Sequence, residues 1–319
     1  MIDEPREGVA RFRVGTAFAG YRLDQFLQRM IPRLSRNRIQ AAIRERVRLS
    51  WDAPVKCSTP VRAGQVVYVD DPVVNEETIA FDPPVLHEDE GLLAIDKPAG
   101  LVVHPTHSHL RNTVVMLLRR QRNEPELSLC HRLDADTSGV LLLARTRAAR
   151  RRMQTAFERG RVEKSYLALV HGRPADDAFE IDLPLGPVTR DSYVWRQGPE
   201  AEDARPARTR FRVLERGARW SLVEAVPVTG RRHQIRAHLA LAGHPILGDK
   251  LYGLDDRAYR AYLRRGEPDE RAARRLVAAR TMLHAHRLVV PQPGTRDGRL
   301  EIVAPPPDDF ARLRAAVDG

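Results

Sequence analysis

Cysteine is nearly absent from this chain. Cys57 and Cys130 are its two thiols, far apart in 319 residues, which excludes a disulfide framework and a thiolate-based metal cage. Long apolar runs are missing as well. The longest pieces, residues 114–118 and 140–144, fall far short of the ~18 apolar residues that a membrane span needs. The opening MIDEPREGVARFRV has no apolar signal-peptide core. No fixed-period repeat and no low-complexity tract is present. A cytoplasmic protein is the expectation. Lysine is scarce too: Lys56, Lys97, Lys164 and Lys250 are the four among 53 basic residues, an arginine bias of the kind that genome-wide drift produces.

What is present is enough apolar matter for a core, and a large positive charge. Hydrophobic residues make up 42%, which excludes wholesale disorder. At roughly 100–200 residues per domain, the chain has room for about two domains. The 53 Lys and Arg outweigh 42 Asp and Glu, a net charge of +11. That balance favours a polyanionic partner, because each neutralised phosphate releases counterions. Drift would spread the excess evenly, yet residues 11–62 hold twelve Lys/Arg against three Asp/Glu. This stretch reads as a nucleic-acid-binding module, with Arg22, Arg36, Arg38 and Arg44 as candidate RNA contacts.

Leu23, Phe26, Leu27 and Met30 recur at helical spacing. Ser35 fits the N-cap of a second helix to about Arg44, with Ile39 and Ile43 on one face. Short strands at 47–51 and 66–69 complete a basic domain over residues 1–75. The acidic stretch with Pro72, Pro83 and Pro84 lacks periodicity, so residues 76–88 read as a linker. The larger domain, 89–319, mixes both element types. Strands are expected at 92–96, 140–144, 166–170, 211–214, 220–226, 286–290 and 300–303. Helices are expected after caps at Asn112 and Thr146, over 234–242 and over 309–317, with a polar loop at 190–208.

The densest polar cluster is residues 131–139, HRLDADTSG, directly before the apolar strand at 140–144. A strand end fixes side chains while the loop exposes them. The cluster offers His, Asp and Ser, but nucleophilic triads are gathered from distant segments and no G-x-S-x-G elbow occurs. By composition alone, a turn of Asp, Thr and Ser bonding its own backbone is the competing reading. His104, His107 and His109 have no carboxylate or Cys at ligand spacing, so no metal is expected. Residues 145–164 carry eight Lys/Arg and two Glu, either a solvated helix face or an RNA track.

The string HRLDxxTSG resembles the signature of the RluA family of pseudouridine synthases. In the same order, Asp96-Lys97-Pro98-Ala99-Gly100-Leu101 with His104-Pro105 resembles that family's first motif. Lys164-Ser165-Tyr166 resembles its K-x-Y strand. TGRRHQIRAHL at 229–239, continued by GHPILGD at 243–249, is similar to its TGR-x-HQIR-x-HL motif, and Leu283-His284-Ala285 to its late motif. The resemblance spans about residues 85–305. The N-terminal part resembles the small alpha-L RNA-binding module often fused ahead of such catalytic domains.

The resemblance implies an α+β fold: a mixed, mainly antiparallel sheet flanked by helices, behind a small N-terminal α/β RNA-binding domain. It implies site-specific isomerisation of uridine to pseudouridine in structured RNA, in the large ribosomal subunit first and in transfer RNA as the alternative. The N1–C1′ bond breaks and the base rejoins through C5, with no net redox change or hydrolysis, so no cofactor and no metal are required. One ionised carboxylate suffices as nucleophile, and the resemblance places it on Asp134. Arg236 matches the cation that holds it, expected to grip with two parallel hydrogen bonds. Arg232, one turn earlier on the same helix face, is the rival partner. Tyr166 corresponds to the tyrosine that stacks on the base and helps remove the C5 proton. Arg132 is expected to hold the flipped nucleotide or fill its vacancy. His131, Lys164, Arg231 and Gln234 complete the expected substrate contacts. Residues 190–208 match the family only loosely, so Tyr193, Trp195 and Arg196 are expected to meet RNA in their own way.

A non-catalytic RNA-binding or ribosome-assembly factor is disfavoured, because such a protein has no use for Asp134, Tyr166 and Arg236 together. A nucleoside or glycoside hydrolase is disfavoured because its second carboxylate would have to be Asp136, two residues away on the same loop. The expected partner is RNA, with no membrane and no obligate second subunit: a monomer.

Overall fold

The structure, a computed structural model, describes residues 9–31, 36–51, 55–70, 79–105, 112–188, 196–292 and 297–318. The chain divides into two units, Met1–Ile79 with Pro105–Asn112, and Ala80–His104 with Thr113–Gly319.

The first unit contains β1 (Val9–Arg13), α1 (Leu23–Met30), α2 (Arg36–Arg46), β2 (Val47–Leu49) and β3 (Val66–Asp70). The strands form an antiparallel sheet in the order β1-β3-β2. Helical spacing put Leu23, Phe26 and Leu27 on one face of α1, and they are buried there against Ile39 and Ile43 of α2 and Val67 and Val69 of β3. Arg36 and Arg44 are exposed on α2. Arg22 is different: its guanidinium forks onto Asp24 at 3.0 and 2.9 Å, so its charge is already neutralised. The Arg38 side chain and Ser35 lie outside the described residues.

The second unit runs β4 (Val85–Glu88), β5 (Leu92–Lys97), α3 (Val114–Arg122), β6 (Ser128–Leu129), β7 (Ser138–Ala144), α4 (Arg147–Glu158), β8 (Glu163–His171), β9 (Ala178–Asp182), β10 (Gly186–Val188), β11 (Arg196–Gly198), β12 (Arg208–Arg216), β13 (Trp220–Pro227), α5 (Gln234–Leu241), α6 (Asp256–Arg265), α7 (Glu270–Leu276), β14 (Leu283–Pro291), β15 (Arg299–Val303) and α8 (Asp308–Asp318). Its main sheet has the order β4-β5-β7-β14-β8-β13-β12-β9, with β15 on β14 and β6 on β7. The β7–β14 pair is parallel, and the other neighbours are antiparallel. This is the α+β class that the sequence led us to expect.

Strand β7 explains why residues 140–144 are apolar without alternation. Leu141 and Leu143 pack with Val114, Leu117 and Leu118 of α3, while Val140, Leu142 and Ala144 pack with Ala149, Met153 and Ala156 of α4. A strand covered on both faces has no polar side to show. At its start, Gly139 has φ +105°, and a Cβ there would lie 2.2 Å from the carbonyl oxygen of Ala285 on β14. Only glycine lets the two strands meet.

The expected linker needs correction at its C-terminal end. Residues 71–78 lie outside the described residues, but 85–88 form β4, paired with β5, and Phe81 is buried in the second unit's core. An edge strand tolerates the prolines that made this stretch read as linker. The polar loop expected at 190–208 likewise contains β11, paired antiparallel with β10. Thr113 rather than Asn112 occupies the N-cap position of α3, without a side-chain capping bond, while Thr146 caps α4 as expected, accepting Ala149 N–H at 3.2 Å.

Candidate active site

The loop between β6 and β7 carries Asp134, and three donors pin it. Asp134's carbonyl accepts Thr137 N–H at 3.1 Å, closing a tight turn; the next carbonyl, of Ala135, accepts Gly100 N–H and Lys97 Nζ, both at 2.9 Å. Lys97 also donates to the Pro98 carbonyl at 2.7 Å and is fully buried, which pushes its pKa down to about 7. The arrangement ties the β5 turn to the polar loop and leaves the Asp134 carboxylate facing a cleft.

That cleft encloses about 500 Å³, within the range of small-ligand sites. Asp134, Tyr166, Arg132, Lys164 and the segment 229–236 line it, with Phe157 of α4 on one wall. Tyr166 and Lys164 are two residues apart on β8, so the strand's alternation aims both the same way. Lys164 Nζ reaches the Thr229 carbonyl at 3.4 Å, and burial lowers its pKa. Burial, with Asp134's negative charge, pushes the Tyr166 phenol up to about 12.

Helix α5 supplies the cation. Arg236 Nη1 donates to Asp134 Oδ2 at 2.7 Å. Burial by itself would raise the Asp134 carboxyl, but the Arg236 guanidinium beside it holds it below the usual carboxylate range. The sequence expectation of a two-bond grip on Asp134 is corrected here. The fork goes to Asp249 instead, with Nε at 2.6 Å and Nη2 at 2.8 Å. Asp249 is fully buried and also accepts the backbone N–H groups of Leu251 and Tyr252 at 3.0 and 3.1 Å. Four donors thus fix Asp249, Asp249 fixes the plane of Arg236, and Arg236 presents one N–H to Asp134. Arg232 is exposed at the cleft's edge and does not take this place.

His233 sits at the N-cap of α5 with φ 54°, a left-handed conformation uncommon outside glycine. Its Nε2 is 3.8 Å from Asp134 Oδ2 and its Nδ1 is 3.3 Å from the Tyr252 hydroxyl. Burial pushes its pKa down to about 4, so the ring is neutral. A Tyr252 O–H donated to Nδ1 leaves the proton on Nε2, the tautomer that faces a carboxylate favourably.

Several expected substrate contacts have other duties. Gln234 is buried, and its amide is used up: Oε1 accepts Thr229 Oγ1–H at 2.7 Å and Arg231 N–H at 2.9 Å, while Nε2 donates to the Arg208 carbonyl and Thr209 Oγ1, both at 2.9 Å. No bond is left for a substrate. His131 Nε2 accepts Leu142 N–H at 3.0 Å, and its ring stacks on Phe157; it braces β7, and burial pushes its pKa down to about 4. Arg231 Nε is held by the Pro206 carbonyl at 3.0 Å. Arg132 is exposed at the cleft, as a nucleotide-holding residue must be. Arg196, expected to meet RNA, donates to the carbonyls of Leu251 and Leu254 at 2.8 and 2.7 Å and pairs with Asp256. Tyr193 and Trp195 lie outside the described residues.

Asp249, His233 and Tyr252 are the site residues that sequence reasoning missed. GHPILGD contained Asp249, but nothing in that string says which cation it meets. Among the described residues, no group of three or more His, Cys, Asp or Glu converges as a metal site would; His107 and His109 lie outside them.

Residues 91–241 match the profile described as RNA pseudouridylate synthase. The chain is 33% identical to ribosomal large subunit pseudouridine synthase D of Nitrosomonas europaea, over 99% of this chain and 90% of the relative. It is 34% identical to ribosomal large subunit pseudouridine synthase C of Vibrio cholerae, covering 95% of each. Among solved structures, human RNA pseudouridylate synthase domain containing 1 matches with a TM-score of 0.56 and 28% identity, over 70% of this chain and 83% of that one.

Proposed function

The chain belongs to the RNA pseudouridylate synthase family, and on that premise we propose that it isomerises particular uridines of large-subunit ribosomal RNA with Asp134 as nucleophile. The observation that carries the reading is the Asp134 carboxylate, held ionised by Arg236 at 2.7 Å in a cleft of about 500 Å³. The ribosomal target rests on the relatives, named as large-subunit synthases C and D at similar identity. Their agreement supports the RNA class and leaves the position open.

The chemistry follows from charge and geometry. A base inside a helix cannot reach the cleft, so the nucleotide flips out, and exposed Arg132 takes its place or its phosphate. Asp134 attacks as the N1–C1′ bond breaks, giving a covalent intermediate with the ribose or the base. The uracil turns, C5 bonds to C1′, the bond to Asp134 breaks and returns its electron pair to the carboxylate, the C5 proton leaves, and N1 gains a proton, so atoms and electrons balance without a cofactor. Tyr166 stays a neutral phenol and stacks on the uracil. Its hydroxyl takes the C5 proton while passing its own to the released Asp134 carboxylate, which gives that proton up to solvent as N1 takes one, restoring the anion.

Tyr166→Phe is therefore expected to keep RNA affinity within about threefold and to slow a step after glycosidic cleavage by about a hundredfold, the usual worth of a placed acid–base group. Tyr166→Leu loses affinity as well. Quench-flow with labelled RNA separates the steps, and equal rates for wild type and Phe leave Tyr166 as a stacking platform only.

The first unit, with Arg36 and Arg44 exposed, is read as the module that holds structured RNA. No helix among the described residues is long and apolar enough to cross a membrane, and we read the protein as a cytoplasmic monomer. Pseudouridine mapping of total RNA, with and without this protein, tests the function. Loss of sites in large-subunit ribosomal RNA is expected. Loss confined to transfer RNA moves the target, and an unchanged map overturns the proposal.

A further inference from the structure

Helix α4 is anchored by Ala149, Met153 and Ala156, spaced so that they share one face. Its remaining surface, with the turn into β8, carries Arg150, Arg151, Arg152, Arg159 and Arg161, all exposed. A run of arginines in an arginine-biased chain is ordinarily a solvated face, so the surface needs an internal comparison. Elsewhere on this unit, several arginines come with carboxylates. Arg216 pairs with Asp177, Arg287 with Glu163 and Glu301, Arg299 with Glu163, and Arg212 with Glu224. These five arginines have no carboxylate partner among the described residues, whereas Arg147 at the start of α4 pairs with Glu126. Single arginines such as Arg173 and Arg219 are also exposed without a carboxylate partner among the described residues; what sets this surface apart is that five such residues fall within positions 150–161, beside the cleft.

The placement is as telling as the charge. Phe157 lines the cleft. Arg150 precedes it by seven residues, about two helical turns, and so lies on the same flank of α4. Arg159 and Arg161 lead into β8, whose Lys164 and Tyr166 line the cleft in turn. The positive strip therefore runs to the cleft's wall. A phosphate chain needs unneutralised guanidinium groups spaced along a surface that ends at the reacting base.

We infer that this strip binds the phosphate backbone of the RNA flanking the target uridine, giving affinity and register without touching the chemistry. The inference rests on the RNA reading above and adds the surface that holds it. The test is equilibrium titration of an unmodified large-subunit ribosomal RNA transcript at several salt concentrations, with single-turnover isomerisation at saturating RNA alongside. The triple variant Arg150→Gln, Arg151→Gln, Arg159→Gln is expected to bind about 10- to 100-fold more weakly. Its log–log salt slope should be shallower by about two, at roughly 0.7–0.9 per lost phosphate contact, while its saturated rate stays within twofold. A charge-matched control, Arg216→Gln, Arg287→Gln, Arg299→Gln, removes paired arginines and is expected to shift affinity less than threefold.

Equal losses in both triples reduce the effect to bulk charge and overturn the inference, as does an unchanged slope in the α4 triple. A reduced saturated rate with intact affinity also overturns it, because the strip then acts on the chemistry. Binding is read whether or not a uridine is isomerised. RNA held through α4 without any isomerisation sinks the proposed chemistry and keeps this surface.

Discussion

Asp134→Asn is expected to abolish isomerisation and leave RNA binding nearly intact. Asparagine has the same shape, and its amide oxygen still accepts the Nη1–H of Arg236 that Asp134 accepts at 2.7 Å. The turn closed by Thr137 and the tether from Lys97 use backbone carbonyls, which the substitution does not touch. What is lost is the anion, and a neutral amide is not a competent nucleophile. A fall of at least a thousandfold follows, about 4 kcal/mol of transition-state stabilisation. Residual turnover above about a thousandth of wild type, in protein shown to bind RNA normally, contradicts the assignment. The same anion sets the acid side of the pH profile. Because Arg236 holds Asp134 below the usual carboxylate range, the wild-type rate falls only as pH drops through that lowered value. Single-turnover rates from about pH 7 down to about pH 5 are expected to be flat in this group, since ordinary carboxyls titrate near or below the lower limit.

Arg236→Lys is expected to be far more damaging than a change that keeps the charge. The guanidinium makes three bonds at once, two to Asp249 and one to Asp134, and its side chain is 12% exposed. An ammonium is a point charge on a flexible stem and cannot hold both carboxylates in fixed planes. If it stays with Asp249, Asp134 loses its orientation; if it swings to Asp134, a fully buried Asp249 keeps only backbone donors. Misplacing a nucleophile by an ångström costs on the order of a hundredfold in rate. Loosening a buried ion pair costs about 2–3 kcal/mol, less than outright removal of a partner because the charge remains. We therefore expect a hundredfold or greater loss in saturated rate and a clear loss in denaturant stability, both order-of-magnitude figures. Arg232→Lys, at an exposed position, is expected to stay within about threefold because surface changes are usually near neutral. The reverse order would hand the Asp134 partnership to Arg232.

The two variants also mark where sequence reading succeeds and where it stops. Periodicity located α1, and continuous apolarity located β7, because burial on one face or two leaves a direct trace in residue order. The motif strings brought Asp134, Tyr166 and Arg236 to one cleft. They did not say that Arg236 would spend its fork on Asp249, thirteen residues on. Helical spacing fixes the face on which an arginine lies, but the choice of acceptor is made in three dimensions. Gln234 shows the same limit. A polar residue inside a site motif looks like a substrate contact until its four bonds are found to be taken. The unforeseen helices α6 and α7 were more legible than our reading of them: Asp255 and Asp269 cap them through Ala258 and Ala272 N–H. Their polar, arginine-rich turns hid the apolar rows that usually announce a helix. The left-handed His233 leaves no mark in composition, since only the folded turn requires it.

The parallel meeting of β7 and β14 bears on how the enzyme is made. Ser138 Oγ and His284 Nδ1 are 3.0 Å apart across that join yet 146 positions apart along the chain. Closing so long a loop carries a large entropic cost, and non-local strand pairing of this kind is slow to form. Synthesis runs from the N-terminus, so the strand carrying His284 leaves the ribosome well after β7. Until it arrives, β7 lacks its neighbour on that side, and the loop before it has no finished frame. A nascent chain can complete the first unit, proposed above to hold RNA, before β14 emerges to frame Asp134, so on that proposal RNA capture comes before catalysis in the life of each molecule.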